Sequence, residues 1–99
     1  MTLKELIEAV KEKSLNKDQL EEYRDDLSRM FSAIQMEMAD LEKEEALFMN
    51  GKGDEESVAN RKVTWKATTS GQRLIQLKRY ALACKEMLNS LKSRLYSFY

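Results

Sequence analysis

The final segment of the chain, LIQLKRYALACKEMLNSLKSRLYSFY (residues 74–99), decides the fold. Its apolar and small residues recur every seven positions, in two columns that lie three residues apart. One column holds Leu74, Ala81, Leu88 and Leu95, and the other holds Leu77, Cys84, Leu91 and Phe98. This spacing predicts a helix with an apolar seam and coiled-coil-like packing.

A second long helix is predicted upstream, over residues 17–49. Asn16 and Gln19 form a capping box at its start, and apolar residues then recur every seven positions from Leu20 to Phe48. A companion column, four residues further along the helix, is apolar in its middle but holds Arg24 and Glu45 at its two ends. Polar residues in such a column indicate that the seam opens toward solvent there or makes a specific pair.

A short first helix, a turn and the start of the last helix complete the chain. A capping box at Thr2 and Glu5 predicts a first helix over about residues 2–13, too short to be stable without docking on the others. The segment NGKGD (residues 50–54) has the composition of a turn, and a third helix is predicted over residues 55–99. Residues 68–71 are weakly helical and could break this helix, but the heptad columns extend back through them, so one continuous helix is favoured.

These elements predict an all-α fold in a single domain, residues 1–99. The absence of proline and the abundance of helix-forming residues support mostly helical structure. Two long helices joined by a short turn run antiparallel, so we expect an elongated antiparallel helical hairpin with a short docked N-terminal helix.

The composition argues against an enzyme. The chain has no histidine, and its one cysteine, Cys84, lies in the apolar seam with no histidine to activate it. The carboxylates lack the spacing of a metal site, so we expect no catalytic residue, no metal and no cofactor. No apolar run reaches the length of about 20 residues that spans a membrane, and no signal peptide is apparent. A cytoplasmic protein without membrane contact is the expectation.

The charge of the chain is sharply divided. Residues 1–56 hold sixteen acids and eight bases, a net charge of −8, whereas residues 57–99 hold nine bases and one acid, a net charge of +8. Basic side chains can follow a phosphate backbone, and neighbouring aromatic rings can stack on unpaired bases. The candidate nucleic-acid-binding residues are Lys62, Lys66, Arg73, Lys78, Arg79, Lys85, Lys92 and Arg94, with Trp65 and Tyr80. Alternatively, the bases pair internally with the acidic helix, as Glu42 with Lys66 and Glu21 with Lys85.

Apolar residues outside the two seams exceed what a two-helix hairpin can bury. They include Met36, Leu47 and Leu82. A homo-oligomer is therefore expected, with an interface along the heptad seams. The candidate interface residues are Leu27, Ile34, Leu41, Leu88, Leu91 and Leu95.

The turn residues Gly51, Gly53 and Asp54, with Lys92-Ser93-Arg94 near the end, resemble small proteins of bacteriophages. The arrangement is similar to that of the phage recombination mediators. This resemblance implies a protein that oligomerises, binds single-stranded DNA and helps to load a recombinase. The alternatives are a protein-interaction module, such as an inhibitor or adaptor acting through its acidic helix, and a structural assembly subunit.

Overall fold

The computed structural model of the chain is all-α, as predicted, and describes residues 1–12, 14–51 and 57–98. In the described part there are four helices, α1 (Leu3–Val10), α2 (Lys17–Met49), α3 (Val58–Ala67) and α4 (Thr69–Tyr96). Residues 52–54 of the predicted turn and the predicted helical positions 13, 55, 56 and 99 lie outside the described residues.

The predicted starts of the first two helices are confirmed. The hydroxyl of Thr2 accepts a hydrogen bond from the backbone N–H of Glu5. At the start of α2, the N–H of Gln19 donates to Asn16 Oδ1 at 2.8 Å, and the N–H of Asn16 donates to Gln19 Oε1 at 3.0 Å. These reciprocal bonds satisfy donors that a helix N-terminus leaves without intrahelical partners.

The prediction of one helix through residues 68–71 is wrong. Thr68 has an extended backbone, with φ −73° and ψ 159°, and it ends α3. Its hydroxyl donates to the carbonyl of Trp65 at 2.6 Å and accepts from the N–H of Gly71 at 2.9 Å, so it caps α4. A Cβ on Gly71 would lie 1.9 Å from the carbonyl oxygen of Trp65, so the close approach of the two helix ends requires glycine.

The chain divides into two compact units. Unit 1 comprises residues 1–33 and 81–99, and unit 2 comprises residues 34–80. Unit 1 thus contains α1, the first half of α2 and the second half of α4. Its buried apolar side chains come from all three helices: Leu6, Val10, Leu20, Leu27, Cys84, Leu91 and Leu95.

Unit 2 contains the second half of α2, all of α3 and the start of α4. Its described buried apolar side chains are Trp65, Leu74 and Leu77. Within this unit, Phe48 of α2 contacts Trp65 of α3, and Glu37 of α2 pairs with Arg73 of α4. The later residue of α2, Phe48, contacts the earlier partner, Trp65, whereas the earlier Glu37 pairs with the later Arg73. This order shows that α2 runs antiparallel to α3 and α4 here.

Candidate nucleic-acid interface

Six of the predicted cations are exposed and unpaired. None of their side chains makes an ion pair or a hydrogen bond with another described residue. They are Lys62 and Lys66 on α3, and Lys78, Arg79, Lys85 and Lys92 on α4. The expected internal pairs of Lys66 and Lys85 are therefore not made, and these side chains remain available to an anion.

Lys62 and Lys66 form the best-defined pair of cations in unit 2. They lie four residues apart on α3, which places them on the same face of the helix with Cβ atoms about 5–6 Å apart. Lys66 also lies in the last turn of α3, where a cation is favoured by the negative end of the helix dipole.

Arg73, a third predicted phosphate contact in unit 2, is already engaged. Its Nε and Nη2 atoms donate to the two carboxylate oxygens of Glu37, both at 3.0 Å, and Nη1 donates to Gln76 at 2.9 Å. Donating these hydrogen bonds to the carboxylate of Glu37 raises the pKa of Arg73. A phosphate would have to displace this two-point carboxylate contact, so Arg73 is less available to an anion than the unpaired lysines are.

Arg94 has a structural position in unit 1. Its guanidinium donates to the backbone carbonyls of Val10 and Glu12, at and beyond the end of α1. The last turn of α1 contains no basic residue, so Arg94 supplies from α4 the positive charge that its carbonyl end favours. We therefore remove Arg94 from the candidate interface.

The two predicted aromatic residues, Trp65 and Tyr80, differ in their exposure. Trp65 is only 6% exposed, and its ring centroid lies 5.6 Å from that of Phe48 with the planes tilted by 48°. Trp65 is thus a core residue of unit 2 and offers no stacking platform, contrary to the prediction. Tyr80 is 38% exposed, and its hydroxyl accepts a hydrogen bond from Gln76 at 2.9 Å.

The predicted oligomer interface also needs correction. Leu27, Leu91 and Leu95 are at most 3% exposed within a single chain, because they form the core of unit 1 with α1. Side chains that are covered in this way cannot contact a second copy. The other three predicted interface residues, Ile34, Leu41 and Leu88, are half-buried. Larger apolar exposure lies outside the predicted seams, at Met36, Leu47, Val58, Val63, Leu82 and Tyr96.

Unit 1 contains a cavity of about 480 Å³ that the sequence reasoning did not assign as a site. Arg24 and Ser28 of α2 line one side, and α4 lines the other with Leu88, Asn89, Lys92, Leu95 and Tyr96. The sequence did contain one signal for it. Arg24 takes the place of an apolar residue in the companion column, and it lines the cavity.

A second cavity of unit 1, about 220 Å³, differs in its charges. It is lined by Met1, Leu6, Asp26, Arg29 and Met30. Arg29 Nη2 lies 2.6 Å from Asp26 Oδ1, so the guanidinium of Arg29 is already paired with a carboxylate that also lines this cavity. The smaller cavity therefore offers little attraction to an anion.

The described residues contain no group of three or more side chains that could hold a metal ion. Cys84 is fully buried, and burial raises the pKa of its thiol, which lowers the fraction of reactive thiolate. Among the described helices, none is both long enough and apolar enough to cross a membrane. No protein-family model, no curated protein and no solved structure matches the chain.

Proposed function

We propose that this chain is a non-enzymatic accessory protein that binds single-stranded nucleic acid through its basic C-terminal segment. The observation that supports the proposal is the set of six exposed, unpaired cations on α3 and α4. The chain has as many acids as bases, 17 of each, so these cations had potential partners within the molecule. Cations left in water next to one another repel, and a phosphate backbone relieves that repulsion.

Single strands suit the surface better than a duplex does. Exposed tyrosines lie near the cations. Tyr80 is adjacent to Arg79, and Tyr96 lies one turn from Lys92. Aromatic rings beside cations bind unpaired bases with little sequence preference. The resemblance to phage recombination mediators favours the same substrate and a role in recombination, in the cytoplasm.

The proposal is tested by titrating a fluorescently labelled oligothymidylate with the full chain at about 50 and 200 mM salt. We expect affinity to fall steeply with salt, because each phosphate contact releases counterions. The double variant Lys62→Gln/Lys66→Gln should weaken binding and reduce the salt slope by about 0.7 for each lysine removed.

The matched control is Lys4→Gln/Lys43→Gln. It removes the same charge from two other exposed lysines, one on α1 and one on α2. This variant should bind with nearly the affinity of the unmodified chain. Equal losses in the two double variants would mean that overall charge, and not the basic segment, drives binding. Absence of binding at the lower salt concentration would refute the proposed function.

Self-association is a second candidate property, favoured by the apolar exposure of unit 2. Met36 and Leu47 are each 72% exposed, and Val63 is 69% exposed. Apolar side chains at this exposure are normal singly, but several in one small unit are typical of a contact surface. Sedimentation at increasing concentration should show a dimer or larger assembly, which Met36→Gln/Leu47→Gln should weaken. A monomer at all concentrations would exclude this property without affecting nucleic-acid binding.

A further inference from the structure

The cavity of about 480 Å³ in unit 1 presents polar side chains that have no partner among the described residues. Ser28, Asn89, Lys92 and Tyr96 make no hydrogen bond or ion pair with any other described residue. Arg24 contacts its chain neighbour Asp25 only through Nε, at 3.6 Å. Two cations, a carboxamide and two hydroxyls thus face one space.

The remaining walls of this cavity are apolar. Leu88 is half-buried and provides an apolar surface, whereas Leu95 lines the cavity but is only 3% exposed. Tyr96 is 67% exposed and offers a ring face at the edge. The volume falls within the range of about 300–1,000 Å³ that is usual for small-ligand sites. A ligand that fits all these groups has a flat, partly apolar body, hydrogen-bonding edges and a negative charge.

The geometry points to a nucleobase pocket, in which unit 1 takes one unpaired base of a single strand. The base lies on Leu88 and against the ring of Tyr96, with its edge toward Asn89 and Ser28. Its phosphate lies near Arg24 and Lys92. A carboxamide can both donate to and accept from a base edge, and base–aromatic stacking adds affinity without strong sequence preference. This inference rests on the proposed function and names where a base enters.

An apolar partner helix fits the cavity less well. It would cover Arg24, Lys92 and Asn89 without offering them partners, and buried polar groups without partners are destabilising. A base in an intact duplex is stacked and paired, and so cannot enter a cavity of this kind. A single strand avoids both difficulties.

The test compares two labelled oligothymidylates of about 15 nucleotides, one intact and one abasic at its central positions. Both carry the same phosphates. The full chain should bind the abasic strand about tenfold more weakly, because each stacked base contributes to affinity. The variants Tyr96→Ala and Asn89→Ala should weaken binding of the intact strand and leave binding of the abasic strand nearly unchanged. Lys62→Gln/Lys66→Gln should weaken binding of both strands alike.

The outcomes separate this inference from the proposed function. Equal affinities for the intact and abasic strands would overturn the pocket and leave phosphate binding in place. Failure of both strands to bind at about 50 mM salt would remove both proposals. Because Tyr96 is exposed, Tyr96→Ala should keep the fold, and its circular dichroism spectrum should match that of the unmodified chain. If Tyr96→Ala instead affects both strands equally, the ring does not contact a base and the pocket is refuted.

Discussion

The two units of the chain bury their apolar residues in different ways. Unit 1 distributes its core over seven buried side chains from three helices, whereas the described core of unit 2 contains Trp65, Leu74 and Leu77. The difference comes from α1, whose buried face (Leu6 and Val10) covers the seam of unit 1. In unit 2 no such helix is present among the described residues, and the ring of Trp65 from α3 packs on Phe48 of α2 instead.

This comparison shows how similar heptad patterns give cores of unequal depth. The seam positions Leu20 and Leu27 of α2 are buried in unit 1, whereas the seam positions Ile34, Leu41 and Phe48 are only half-buried in unit 2. The residues at all five positions are large and apolar. Their burial is therefore set by the element that packs over them and not by the heptad column itself.

The largest expected effect is that of Trp65→Ala on unit 2. Truncation should lower the free energy of unfolding by about 3–5 kcal/mol, since it removes a buried ring and its contact with Phe48. Leu27→Ala in unit 1 should cost less, about 2–3 kcal/mol, because the leucine side chain that is truncated is smaller than the indole. Chemical denaturation followed by circular dichroism measures both values.

Amide hydrogen exchange tests where in the chain Trp65→Ala lowers stability. Amides of α3 should lose protection before those of α1, because local opening begins where few apolar contacts hold a segment. The control is Val63→Ala, which truncates an exposed side chain on the same helix. It should change stability by at most about 0.5 kcal/mol. A cost of less than about 1 kcal/mol for Trp65→Ala would show that unit 2 does not depend on this ring.

Arg94→Met is expected to have the next largest effect, this time on unit 1. It keeps much of the side-chain volume but removes the donors to the carbonyls of Val10 and Glu12. We expect a loss of about 1.5–3 kcal/mol, since these are charge-assisted hydrogen bonds. Exchange at the amides of α1 should quicken most.

The control for Arg94→Met is Arg79→Met, which removes an exposed cation that makes no pair with a described residue. The control should leave the stability nearly unchanged. If both variants lose the same stability, the contact of Arg94 with the end of α1 is not what stabilises that helix.

The sequence was informative where a local rule determined the structure. The start of α2 followed from the Asn16–Gln19 capping box and its end from the turn composition after Met49. The core residues Leu74, Leu77, Cys84 and Leu91 followed from heptad spacing. The roles of Arg94 and Trp65 could not be read in this way. Arg94 donates to carbonyls more than eighty residues earlier in the chain, and a contact of that kind leaves no periodic signal.

The candidate site shows the same limit. Lysines on the outer faces of α3 and α4 were predictable, because no apolar column includes them. Whether each cation would pair depended on the register between helices. Among the predicted bases, only Arg73 pairs with a carboxylate of the described residues. The break at Thr68 was suggested by the composition of residues 68–71, but the heptad columns argued more strongly for continuity. Gly71 was the residue that should have decided the question.

Gly71→Ala tests that reasoning with a smaller effect. In an ordinary helix this change is stabilising by up to about 1 kcal/mol. Here the added Cβ would overlap the backbone carbonyl of Trp65, and relieving a clash of this kind costs about 1–3 kcal/mol. We expect a net loss of about 1 kcal/mol in thermal or chemical unfolding. A gain in stability would mean that α3 and α4 can join as one helix without cost.

The smallest expected effect is a pH dependence at Cys84 in the core of unit 1. Burial raises the pKa of this thiol above its ordinary value of 9.0, so the folded chain holds the proton more tightly than the unfolded chain. The contribution to stability is complete below pH 9.0 and is lost as pH rises from that value through the folded pKa. Lysines and tyrosines also titrate in this range, so the measurement must be a difference. The stability of the unmodified chain relative to Cys84→Ala should be greatest at neutral pH and should shrink above pH 9.0. A difference that stays constant into the alkaline range would show that the thiol is not held neutral by the core, and the closed packing assigned to unit 1 would then be too strong a description.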